Sequence, residues 1–156
     1  MVIKTKIFGD VTVDAAKLIL FPQGIVGFPD LKEFMLIHDS EAENSGGIQW
    51  LQSIEEPGFA MPVMDPLLVR PDYNPTIEDE FLKPLGEFTD DNMLVLTTVS
   101  VPHEIEQMSV NLMAPFIINM DTRKAIQIIV DDTYEVKFKI YDILKEAKEK
   151  AEKAGK

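Results

Sequence analysis

Two apolar, β-branched runs joined by a short link constrain this chain more than any other feature. Residues 109–119 read SVNLMAPFIIN, with Val110, Leu112 and Ala114 alternating before the dense run Phe116, Ile117, Ile118. Residues 120–124, MDTRK, are polar and of turn length, and residues 125–130, AIQIIV, form the second run. Such a pair predicts a β-hairpin apolar enough to lie inside a core. The first run is expected as one long strand, with a bulge or a change of partner at Pro115, which has no N–H to give a ladder. Ile117, Ile118, Ile128 and Val130 are expected in the core. Asn111 and Asn119 are expected to bond to nearby backbone, as polar side chains beside buried strands do.

The rest of the chain offers further short strands. Residues 2–8 alternate, and Gly9-Asp10 should turn them into Val11-Thr12-Val13 as an opening hairpin. Strands are also expected at 17–21, 33–37, 48–53, 59–64 and 93–101, and a half-buried one at 134–141, where Tyr134, Val136, Phe138 and Ile140 alternate with charges. Residues 31–34 could make one helical turn. Between Phe21 and Pro29, two Gly and two Pro among bulky apolar residues predict a loop of fixed shape, with Gly24 or Gly27 at positive φ. Residues 40–47 read as a polar loop. A short helix is expected at 76–82, with Thr76 as its cap. Residues 142–156 carry Glu-before-Lys pairs four apart and predict a helical tail with a thin apolar face, Ile143, Leu144 and Ala147. Many short strands, one small helix and no βαβ alternation imply a mainly β fold. The expectation is a small antiparallel β-barrel-like single domain over 1–141, followed by the Lys/Glu-rich tail 142–156.

At 156 residues there is room for one real core. The absence of Cys excludes disulfides and thiolate metal sites and fits a reducing cytosol. No apolar run reaches membrane-spanning length, and the N-terminus lacks the apolar stretch of a signal peptide. The net charge of −12 is uneven: residues 1–136 hold 8 basic and 23 acidic side chains, whereas 137–156 hold 7 Lys and 4 acids. An acidic body repels nucleic acid and anionic membrane and suits a basic partner. Residues 72–91 concentrate the acids, with 7 against one Lys. Glu78, Asp79, Glu80, Glu87, Asp90 and Asp91 lie there in a Pro-punctuated stretch that the core does not need. They are the candidate partner-binding residues.

A search for chemistry yields no catalytic set. His38-Asp39-Ser40 has the letters of a triad, but neighbours in one strand point to opposite faces. His103-Glu104 lacks the further ligands of a zinc site, and no phosphate-binding glycine motif occurs. Asp90-Asp91-Asn92 and Asp131-Asp132 do not follow calcium-loop spacing. Trp50 and Phe59 read as core residues, as do most of the Met side chains. No cofactor, no metal and no turnover are expected.

The ordered set Phe21-Pro22-x-Gly24-Ile25-x-Gly27-Phe28, Leu51-Gln52-Ser53, Asp65-Pro66 with Tyr73, Asn111-Leu112-x-Ala114-Pro115, Ile118-Asn119 and Gln127 resembles the flagellar assembly factor FliW family, from about residue 2 to about residue 141. Ala125 stands where the family commonly has Gly, which bears on the turn before it. In that family Phe21, Pro22, Gly24, Gly27, Phe28, Asn111, Pro115 and Asn119 would be structural. The resemblance implies a non-catalytic, cytoplasmic, β-barrel-like partner-switching factor, monomeric on its own. It would bind flagellin and the RNA-binding translational regulator CsrA, and would antagonise CsrA away from its RNA face. Flagellin translation would thereby be coupled to flagellin secretion. Two alternatives are a flagellin-specific chaperone without a regulatory role and a small-molecule-binding or hydrolytic barrel; the missing nucleophile, base and metal set disfavours the latter.

Overall fold

The computed structural model describes residues 2–6, 9–37, 48–89, 91–130 and 133–154. The strands are β1 (Val2–Thr5), β2 (Gly9–Thr12), β3 (Leu18–Leu20), β4 (Glu33–Ile37), β5 (Gln49–Ser53), β6 (Ala60–Met64), β7 (Met93–Ser100), β8 (Ser109–Val110), β9 (Phe116–Asn119), β10 (Lys124–Gln127) and β11 (Phe138–Lys139). The helices are α1 (Asp79–Leu82) and α2 (Tyr141–Ala154).

Seven strands close a barrel in the order β7-β6-β5-β4-β3-β10-β9, with β9 returning to β7. Closure leaves no free edge in the ring. The ring is antiparallel except at one seam, where β10 meets β3 in parallel through Lys124 and Leu20. Every ring strand sends at least one side chain inward: Ile19, Phe34, Leu51, Val63, Leu96, Phe116, Ile118 and Ala125. Phe21 fills the centre edge-on to Phe34 at 5.3 Å and to Phe116 at 5.6 Å, the arrangement aromatic quadrupoles favour. A second cluster gathers Met64, Val69, Tyr73, Val99, Met108, Val110, Leu112 and Ile140, and α2 adds Ile143 and Leu144. A third, on the outside of β9, holds Ile117, Ile128 and Val130, so of the four residues expected in the barrel's core only Ile118 lies inside it.

The predicted central hairpin exists as β9 and β10, but its long first strand does not. Residues 109–119 split into β8 and β9, both paired with β7. From Leu96↔Phe116 to Val99↔Val110, β7 advances three residues and its partner six, so a wide bulge loops out before Pro115. Asn111 shapes it, its Oδ1 accepting from the Met113 N–H at 3.0 Å. The outer partner also changes there, from β11 beside β8 to β10 beside β9. Ala125 lies inside β10 opposite Ile118, past the turn, whose left-handed residue is Arg123 at φ 63°.

Other expectations need correction. The opening hairpin forms, but Gly9 and Asp10 belong to its second strand, paired with Thr5 and Lys4. Residues 31–34 make no helical turn, because the Lys32 and Glu33 N–H groups donate to the Glu55 carboxylate and hold the chain extended into β4. The helix at 76–82 is only α1, starting at Asp79 with Glu78 as cap, so Thr76 does not cap it. The strand at 134–141 shrinks to β11, because residues 136–137 turn and leave Val136 55% exposed. Trp50 and Phe59 are half-buried, and Met93 and Met120 are exposed. His38, the loop 40–47, Asp90, Asp131 and Asp132 lie outside the described residues.

Candidate functional site

The acidic segment is fastened to the barrel. Ile77, Leu82 and Phe88 pack with Val95, Ile126 and the buried Ile117 on the outer side of β7, β9 and β10. The core therefore does use this segment, contrary to the sequence expectation. Its apolar underside is half-buried against the barrel and its carboxylates are left outside: Glu78, Asp79, Glu80, Glu87 and Asp91 are all exposed.

Hydrogen bonds fasten the segment along its length. Tyr73 Oη donates to the Leu112 carbonyl at 2.6 Å, and the Asn74 N–H donates to Tyr134 Oη at 3.0 Å. Thr122 Oγ1 donates to the Leu85 carbonyl at 2.6 Å. Gly86 sits at φ 97°, where a β-carbon would meet the Thr122 methyl at 2.8 Å. Two buried asparagines converge on the Glu87 carbonyl, Asn92 Nδ2 at 2.9 Å and Asn119 Nδ2 at 3.0 Å. Asn119 Oδ1 also accepts from the N–H groups of Asp121 and Thr122, which sets the turn after β9. Asn92 Oδ1 accepts from the Thr89 N–H at 2.7 Å. Asn92 carries no sequence signal beyond its place beside the acids.

The loop between β3 and β4 forms a second displayed element. Phe21 anchors it in the core, and the Gly24 N–H closes a turn on the Phe21 carbonyl across Pro22 at 2.8 Å. Ile25 and Phe28 exchange backbone hydrogen bonds across Val26 and Gly27. Gly24 and Gly27 both have positive φ, 71° and 86°. Gln127 ties the tip to the bulge: its Oε1 accepts from the Val26 N–H at 2.8 Å and its Nε2 donates to the Ala114 carbonyl at 3.2 Å. Phe28 is exposed but leans on Phe59, ring centres 4.8 Å apart. Pro115 is buried at the mouth of the bulge.

Among the described residues no group of three or more His, Asp or Glu is placed to hold a metal ion. The acidic segment presents fixed negative charge on a rigid support, an arrangement suited to steering and docking a basic surface. No helix among the described residues is long and apolar enough to cross a membrane.

The family model described as "FliW protein" matches residues 2–140. The flagellar assembly factor FliW of Lachnospira eligens is 47% identical over 147 residues, covering 93% of this chain and 97% of that protein. The one of Lachnoclostridium phytofermentans is 43% identical over 143 residues, covering 91% and 92%. A crystal structure of the flagellar assembly factor FliW superposes with a TM-score of 0.82 at 26% identity, over 90% of this chain and 97% of the other.

Proposed function

The chain belongs to the FliW family, and from that premise we propose that it is a non-catalytic, cytoplasmic flagellar assembly factor that binds flagellin and a CsrA-type RNA-binding translational regulator. Bound to the regulator, it relieves repression of flagellin translation; accumulated flagellin withdraws it and restores repression. The observation that carries the regulator half of this reading is the acidic segment, whose carboxylates face out while its apolar underside is fastened to the barrel. A rigid acidic surface lowers the local potential that draws phosphate groups to a neighbouring basic protein, and it binds without first having to be ordered. Flagellin, whose terminal segments pair through apolar helical faces, would use an apolar groove instead.

The second reading, a flagellin-specific chaperone without a regulatory role, predicts a different set of partners. Affinity-tagged protein recovered from cells lacking flagellin separates the two by mass spectrometry. The proposal expects the RNA-binding regulator among the co-purified proteins; its absence there, with flagellin recovered from flagellin-containing cells, would leave only the chaperone.

A further inference from the structure

Eight phenylalanines lie among the described residues, and seven of them have an evident packing role. Phe21, Phe34, Phe59 and Phe116 belong to the barrel interior, Phe138 to the second cluster and Phe88 to the third, while Phe28 stacks on Phe59. Phe81 belongs to none of the three clusters and has no ring partner among the described residues; it is 42% exposed on the one-turn helix α1. Scattered apolar side chains on a surface are ordinary. Phe81 differs in its setting. It follows Glu78, Asp79 and Glu80 directly, and its neighbour Leu82 is turned under into the third cluster. Thr122 grips the Leu85 carbonyl three residues beyond Leu82. The ring is thus partly exposed on a fastened backbone, directly after three exposed acids.

A large aromatic group on a fastened backbone, next to three exposed acids in the chain, has the character of a binding hot spot. Its burial supplies most of the residence time, and the neighbouring charges set the encounter rate. We infer that Phe81 is the apolar anchor of the acidic face, inserting into an apolar pocket with a basic rim on the regulator. This rests on the reading above that a basic regulator docks on this segment, and the three adjacent acids argue for that occupant over flagellin. Because the backbone that carries the ring and the acids is already fastened, truncating the ring should act mainly on dissociation and change association little.

The test is binding kinetics of the purified full-length chain against the purified regulator and against flagellin, for wild type, Phe81→Ala and Phe81→Leu. Melting curves for each variant exclude fold damage. Phe81→Ala should raise the dissociation rate from the regulator about tenfold or more, within the range of a hot-spot truncation. Its association rate should stay within about twofold of wild type, since steering follows the unchanged charges. Phe81→Leu should fall between wild type and Phe81→Ala, and flagellin binding should be unchanged. An unchanged dissociation rate for Phe81→Ala would overturn the anchor and leave the wider reading standing. Failure of the wild-type chain to bind the regulator at all would overturn that reading and the anchor with it. Equal loss of both partners at an unchanged melting temperature would refute the assignment to the regulator.

Discussion

At the residue scale, the two loop glycines separate conformational freedom from close approach. Both have positive φ, but a β-carbon on Gly27 would meet open space, whereas one on Gly24 would lie 2.4 Å from the Pro29 carbonyl oxygen. Gly27→Ala should therefore cost about 1–2 kcal/mol, the ordinary penalty for a left-handed L-residue. Gly24→Ala should cost clearly more, because a backbone atom must move as well. Urea unfolding of the two variants checks the order; equal costs would mean that the Pro29 contact yields freely. Positive φ at these positions was legible in the sequence, since a short loop bounded by Pro turns left-handed at no steric cost only where it has Gly. The difference between them was not, because Pro29 closes on Gly24 only through the folded turn.

At the element scale, the β9–β10 hairpin was legible because its two apolar runs are dense and its link is short. Ile118, fully buried in the barrel, should lose about 2–5 kcal/mol on substitution by Ala, as buried Ile does; a loss near zero by the same unfolding measurement would contradict the closed core. A bulge or change of partner at Pro115 was legible, because Pro has no N–H for a ladder. The width of the break was not, because it depends on the register both halves keep with β7 and on the local bond from Asn111. The alternation at 134–141 misled for a related reason: Tyr134, Phe138 and Ile140 do turn inward, but the turn at 136–137 breaks the period and leaves Val136 exposed. The underside of the acidic segment gave no period, since Ile77, Leu82 and Phe88 are irregularly spaced. In α2, Ile143 and Leu144 meet the second cluster. Deleting residues 146–156 should then shift the melting temperature by less than the double substitution of Ile143 and Leu144 by Ala. The reverse order would show that the later turns carry the docking.

At the scale of the whole molecule, charge and fold have separate origins. The barrel is filled by apolar side chains from each ring strand, while residues 1–136 carry 23 acids against 8 basic side chains. The sequence located the acids but not their support, which comes from Tyr73, Asn92, Asn119 and Thr122 across long separations in the chain. Attraction to a basic partner should therefore be strong at low ionic strength and fade as the screening length falls to roughly 10 Å near 0.1 M salt. The most direct measurement is the association rate with the CsrA-type regulator, at low and high salt, for wild type and for the triple reversal Glu78→Lys, Asp79→Lys, Glu80→Lys. The reversal should slow association by about tenfold or more at low salt, within the range electrostatic steering supplies, and the difference should largely vanish at high salt. Flagellin binding should change little. An association rate with the regulator that is unchanged by the reversal at low salt would contradict docking on the acidic face.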